Sequence, residues 1–160
     1  MPAHRTSPAP ASTHIAIRPM QPADLDAIVN LDALVFGQAR PAYFERRIGW
    51  LSQAPSHDGA IGLVAETSDG VVGLVTGTLT SGEFGLPQIT ALVDSIAVHP
   101  AHRRHGIGRQ LGDAFLAACA AEGAVEVHTL VNWSSWEMLK FFDALGFALA
   151  STISLHRRIG

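Results

Sequence analysis

The stretch Asp94-Ser-Ile-Ala-Val-His-Pro-Ala-His-Arg-Arg-His-Gly-Ile-Gly-Arg109 decides how this chain folds. Its first part ends the run Ile89–Val98, the strongest strand pattern in the sequence, rich in β-branched residues and stopped by Pro100. Its last part opens a helix: Ile107, Leu111, Ala114, Phe115 and Ala118 recur at helical spacing, and Gly123 is a natural stop. Between them, Gly106 and Gly108 sit where the helix begins. Without side chains there, an anion can approach the free N–H groups of the first turn. Those groups and the helix dipole favour negative charge by about 0.3–1 kcal/mol at an exposed site. Arg103, Arg104 and Arg109 add three of the 11 Lys and Arg residues, and no acid occurs between Asp94 and Asp113. Strand, basic glycine turn and helix in this order predict a phosphate or pyrophosphate site. Leu111 stands where a Rossmann fingerprint needs its third glycine, and no Lys-Ser or Lys-Thr follows a glycine, so neither dinucleotide nor Walker A pattern is met. His99, His102 and His105 have a spacing that suits a metal. The loop holds no carboxylate or Cys, however, and its arginines would repel a cation, so no metal is expected.

The rest of the chain bounds the answer. Its 160 residues are 48% hydrophobic and 16% charged, which is the make-up of one folded domain. A formal net charge of -3 argues against a general nucleic-acid binder. The single cysteine, Cys119, excludes a disulfide framework and a multi-cysteine zinc site. No apolar run reaches the roughly 18 residues of a membrane span. Residues 1–13, rich in Pro, Ala, Ser and Thr, read as a mobile tail without a secretory apolar region, and a cytoplasmic domain is expected over 14–160.

The predicted elements are a strand at Ile15–Arg18, a helix capped by Asp24, a helix from Pro41 to about Leu51 and a loop over Gln53–Gly59. A hairpin of Ile61–Thr67 and Val71–Leu79 follows, turning at Ser68, Asp69 and Gly70. After the central strand and helix come a strand at Val125–Val131, a helix around Trp136–Leu145 and a last strand at Ser151–Arg157. Hairpins first and βα alternation second predict an α/β domain with a single mixed, mostly antiparallel sheet flanked by helices.

These residues resemble the GCN5-related N-acetyltransferase (GNAT) superfamily. Arg103-Arg104-His105-Gly106-Ile107-Gly108 matches its acetyl-CoA motif, Arg/Gln-x-x-Gly-x-Gly/Ala, and Phe141-Phe142-Asp143-Ala144-Leu145-Gly146-Phe147 is similar to its second cofactor region. The likeness runs from about residue 14 to 158 and implies acetyl-CoA as cosubstrate, bound where the fourth and fifth strands splay. By that likeness, the backbone amides of Arg104, His105, Gly106, Ile107, Gly108 and Arg109 hold the pyrophosphate, with Arg103 beginning the motif. Ile96 and Val98 offer backbone groups to the pantetheine arm, and Ser135 and Phe142 lie in the second cofactor region. The implied reaction moves an acetyl group from the thioester to an amine of a small molecule or a protein.

An alkylamine attacks only after losing a proton, so a base is needed. Asp94 is the first candidate, a charged residue in an otherwise apolar strand; the alternative is a carboxylate paired with an arginine for structure. Glu83, in the turn after the hairpin, is a weaker second candidate. Many family members place a tyrosine where this chain has Phe142, which has no proton to give to a leaving thiolate. A non-catalytic acetyl-CoA-binding module is therefore one rival reading, and a nucleotide-phosphate-binding domain of another fold is a second. The aromatic residues Phe36, Tyr43, Phe44, Trp50 and Phe84 are candidate walls for the acceptor, Trp133 and Trp136 are expected in the core or a pocket wall, and Arg46 and Arg47 read as a solvated helix face. The oligomeric state is open, a homodimer among the alternatives.

Overall fold

The computed structural model describes residues 14–51, 59–81 and 87–159. Strand β1 spans Ala16–Pro19 and is followed, after a short 3-10 turn, by helices α1 (Leu25–Phe36) and α2 (Pro41–Leu51). Then come β2 (Gly59–Thr67), β3 (Gly70–Ser81), β4 (Ile89–Val98), α3 (Ile107–Ala121), β5 (Ala124–Thr129) and α4 (Trp136–Ala144). The tail at 1–13, most of the loop expected at 53–59, Glu83 and Phe84 lie outside the described residues. Among the described residues no helix is long and apolar enough to cross a membrane.

The sheet runs in the order β1-β2-β3-β4-β5. Its first three pairings are antiparallel and only β4–β5 is parallel. Helices cover both faces, and β3 shows how. Leu74 lies in a buried cluster with Ile28 and Leu31 of α1 and Phe44 and Ile48 of α2. Gly73 and Gly77 point the other way, since residues one apart in a strand face opposite sides. A Cβ on Gly73 would stand 2.9 Å from Leu111 of α3, and one on Gly77 would collide with the Phe115 ring and the Leu92 carbonyl oxygen. Glycine at 77 therefore lets α3 seat its largest buried side chain against the sheet. We expect Gly77→Ala to cost about 1–3 kcal/mol, because the backbone carbonyl cannot yield as a flexible side chain could. A urea unfolding midpoint unchanged in that variant would refute this packing.

Asp24 takes a different role from the expected cap. Its two carboxylate oxygens accept from Arg18 at 2.8 Å each, and one also accepts the Gln21 N–H at 2.8 Å. The Arg18 bond holds this carboxyl below its ordinary range, helped by Gln21 and opposed by burial. Arg18 also donates to Glu66 at 2.7 Å, which ties the edge strand β1 to β2 and the first turn.

Two compact units make up the chain, Met1–Thr129 and Leu130–Gly160. In the second, Phe142 is buried, with edge contacts to Phe141 and Phe147 at centroid distances of 5.2 and 5.0 Å. The expected strand at Ser151–Arg157 is absent: those residues pair with no ladder and are exposed. An alternating sequence has strand propensity, but a strand forms only where its N–H and C=O groups find a partner. Trp133 and Trp136 are likewise not core residues, being 83% and 69% exposed.

Candidate active site

Strand β4 is the axis of the site. Its ladder to β5 covers Ile89–Val93 only, ending at the Val93–Thr129 pair, while its ladder to β3 continues to Val98. From Asp94 onward one edge of β4 is therefore released from β5. The N–H of His99 bonds the Val72 carbonyl of the β3 side at 2.8 Å. Alternation in an antiparallel ladder then turns the N–H and C=O groups of Ile96 and Val98 to the released edge. The Arg103 Nε donor reaches the Val98 carbonyl from there, at 3.3 Å.

Asp94 sits where the release begins, and it sits on a bulge. Thr76 pairs with Ser95 and Gly77 with Val93, which leaves Asp94 without an opposite residue. A bulge breaks the alternation of faces. Both Asp94 and Ser95 consequently bond arginines from the helical side: Nη2 of Arg47 holds Asp94 Oδ2, and Nη2 of Arg40 reaches the Ser95 hydroxyl at 3.3 Å. The charged strand residue thus does pair with an arginine, as the structural alternative requires.

Arg47 is the main correction to the sequence reading. Its side chain is only 11% exposed and its partner Asp94 17%, so this is a part-buried pair rather than a solvated face. Arg46 is exposed, as expected. The guanidinium carbon of Arg47 lies 5.1 Å from the Tyr43 ring centre and 5.2 Å from that of Trp50. Arg40 flanks the same Tyr43 ring at 5.0 Å. Arg40, Tyr43, Arg47 and Trp50 recur at helical spacing, so a ladder of cations and aromatic faces could be read from the sequence. The Tyr43 hydroxyl is fixed by Thr76 Oγ1 at 3.1 Å. Phe36 and Trp50 are exposed and Phe44 is fully buried, so of these expected walls Phe44 is core.

In the sequence, Asp32 interrupts the apolar stripe that Leu25, Ile28, Val29, Leu31 and Val35 make along α1. It is fully buried, and Arg40 meets it with two bonds, Nε to Oδ2 at 3.0 Å and Nη2 to Oδ1 at 2.5 Å. Removing one partner of a buried pair leaves an uncompensated charge. We expect Arg40→Met to cost about 3 kcal/mol, with Arg40→Met/Asp32→Asn losing less than the sum of the single changes. A double-mutant cycle with no coupling would show that the pair holds nothing.

Burial raises the Asp94 carboxyl above the usual range, while the Arg47 charge and hydrogen bond pull it down. Burial also pushes the Cys119 thiol up to about 11, so this cysteine is a core residue and no nucleophile.

The glycine turn completes the geometry. Pro100–His102 is a 3-10 turn, and α3 follows with Gly106 as its N-cap at φ 76°. Arg104 has φ 66°, the only positive φ on a non-glycine among the described residues, a conformation costing about 1–2 kcal/mol. The first helical bond runs from Gln110 N–H to the Gly106 carbonyl at 3.0 Å. The N–H groups of Ile107, Gly108 and Arg109 precede it and have no place in the helix ladder. The histidines brace this turn: His99 Nδ1 accepts from Ala101 N–H at 3.2 Å, and His105 Nδ1 lies 3.3 Å from the His102 carbonyl. Arg103, Arg104, His105 and Arg109 are exposed around it.

The chain has counterparts among known domains. The acetyltransferase (GNAT) domain family matches residues 58–149, more than half of the chain. The chain belongs to the GNAT acetyltransferase family. Acetyl transfer is the business of this family, and acetyl-CoA is its acetyl source. The GNAT fold is shared with a transcriptional regulator from Bacillus halodurans C-125, at 21% identity and TM-score 0.76 over 91% of this chain and 100% of that one. A ribosomal-protein-alanine N-acetyltransferase from Brucella melitensis biovar Abortus 2308 is similar at 19% identity and TM-score 0.72, over 92% and 100%. The aminoglycoside N-acetyltransferase AAC(6')-Iy, solved with CoA, is similar at 19% identity and TM-score 0.75, over 94% and 98%. No curated protein matches the chain by sequence.

Of the residues expected at the site, Asp94, Ile96, Val98 and the Arg103–Arg109 turn lie in one continuous stretch of the larger unit. Ser135 and Phe142 belong to the smaller unit, where the Ser135 N–H bonds the Asn132 carbonyl at 2.8 Å just before α4.

Proposed function

We propose that this GNAT protein is an acetyl-CoA-dependent N-acetyltransferase acting on a primary amine of a small molecule or a protein. The observation that carries the reading is the released edge of β4, which starts at a bulged, part-buried Asp94 and leads into the N-terminus of α3.

The residues suit acetyl-CoA chemically. Unladdered N–H groups at the α3 start, with Arg103, Arg104 and Arg109 around them, fit a pyrophosphate. The backbone groups of Ile96 and Val98, beyond the end of the β5 ladder, fit an amide-bearing arm such as pantetheine. Acetyl-CoA, when bound, supplies a thioester carbonyl open to attack by an amine. In this reading Asp94 accepts the proton that an incoming ammonium must lose, directly or through one water, a contribution worth about 10²–10⁴-fold. A backbone N–H near Val98 is the donor available to a developing oxyanion. Phe142 donates no proton. A thiol with pKa near 8.5 leaves without a dedicated acid, so water suffices for that step.

Two neighbours in fold, a ribosomal-protein-alanine N-acetyltransferase and an aminoglycoside N-acetyltransferase, have amine acceptors, which supports the amine class without choosing between them. Titration calorimetry with acetyl-CoA, CoA and ATP tests the reading. Binding of acetyl-CoA and CoA in preference to ATP is expected, and preference for ATP would contradict it.

A further inference from the structure

We propose that Arg47 is the positioning residue for Asp94: it anchors one carboxylate oxygen, presents the other to the acceptor amine, and sets the pH at which that amine can give up its proton. The inference rests on the reading of Asp94 as the base. It comes from the way the pair is built. Arg47 reaches Asp94 through Nη2 and Oδ2 alone. Among the described residues, Asp94 Oδ1 has no partner, and Arg47 Nη1 is buried without one. A purely structural Arg–Asp pair gains most by the two-pronged fork, the form Arg40 adopts on Asp32 with both Nε and Nη2. The single-pronged pair keeps one oxygen open at the point where β4 leaves β5.

Rigid support holds this geometry. Tyr43 and Trp50 face the Arg47 guanidinium, and Tyr43 is itself tied to Thr76. The arginines that bond β4 here are Arg47 from α2, on Asp94, and Arg40 from the turn before it, on Ser95, and Arg40 also meets Asp32 of α1; Asp26 of α1 and Glu45 and Arg46 of α2 are exposed. Arg40 and Asp32 satisfy each other, which leaves Arg47 as the charge that acts on Asp94. The proton balance is simple. An N–H bond of the acceptor ammonium breaks, an Oδ1–H bond forms, and the electron pair stays on nitrogen as the nucleophile. Burial favours that protonation and Arg47 opposes it, so Arg47 is the group that holds the carboxylate toward its ionised form.

The experiment reads the Asp94 carboxyl directly, by carbon-13 NMR of the side-chain carboxyl during a pH titration, assigned with Asp94→Asn. In Arg47→Met the Asp94 midpoint is expected to rise by about 1–3 pH units, the usual effect of losing an adjacent opposite charge. Arg47→Gln, which keeps polar bulk, should give the same rise, and Arg47→Lys should bring the midpoint back toward the wild-type value. An unmoved midpoint in either neutral variant, with native near-ultraviolet dichroism, overturns the proposal. The acid limb of kcat/KM is followed in parallel, with sisomicin and a peptide bearing an N-terminal alanine as acceptors, and is expected to move up with the midpoint. Loss of that limb in Asp94→Asn but no movement in Arg47→Met or Arg47→Gln overturns the role of Arg47 alone. Persistence of the limb in Asp94→Asn overturns the base assignment beneath it.

Discussion

Gly108→Glu is expected to remove acetyl-CoA binding from a protein that still folds. Gly108 lies in the first turn of α3, beside Gly106 and the N–H groups that precede the first helical bond. A carboxylate there occupies the anion's place and repels it. Hydrogen bonds to a charged group are worth about 1.5–3 kcal/mol each. Loss of two therefore gives roughly 3–6 kcal/mol, a fall in affinity of about 100-fold or more. The helix itself does not suffer, because an acid near its N-terminus is favourable to the dipole. Thermal unfolding and calorimetry with CoA check both halves. Wild-type affinity in the folded variant would place the pyrophosphate elsewhere.

Asp94→Asn is expected to lower kcat by about 10²–10⁴-fold with acetyl-CoA affinity retained. The cofactor edge is made of backbone groups, which this substitution leaves alone. Asn keeps an oxygen for Arg47 Nη2, so the geometry of the pair survives while the basic electron pair is lost. The pH dependence has a definite sign. Asp94 has its pKa raised by burial, so its effect on stability is most favourable below the unfolded value and is lost as pH rises through the folded one. Wherever it is ionised, the carboxylate is thus held at a cost to stability, as is common where a charge has a chemical task. The substitution removes that cost but leaves the part-buried Arg47 without a counter-charge. Steady-state kinetics across pH, beside a binding titration, test the claim. An unaltered kcat would remove Asp94 from the chemistry.

Much of the molecule could be read from its residues because local signals agreed with one another. Ile89–Val98 appears with the expected bounds, and α2 begins at Pro41, a favoured first helical position, and ends at Leu51. The glycine turn was legible because a positive φ and an open approach to backbone each need glycine at a definite place. What escaped depended on partners distant in sequence. Arg47 looked solvated because a charge on a helix usually is. Its partner is on β4, and no local pattern announces that. Asp32 broke an apolar stripe, which signals a buried ion pair only once Arg40 is known to reach it. Asp94 lies on a bulge that comes from the Thr76–Gly77 register, a property of two strands together. The expected strand at Ser151–Arg157 had the alternation but not the ladder. Glu83 remains a candidate outside the described residues.

The most direct measurement of the central claim is thiol release from acetyl-CoA in the presence of amines. Buried Cys119, with its thiol pushed up to about 11, leaves CoA as the thiol that reports turnover. The panel should include sisomicin, a peptide with an N-terminal alanine, a lysine peptide and small alkylamines. The account predicts release that depends on one class of amine, matched by acetylation of that amine, and strongly reduced in Asp94→Asn. Tight acetyl-CoA binding with no amine-dependent release from any member of the panel would contradict it and leave a binding module in its place.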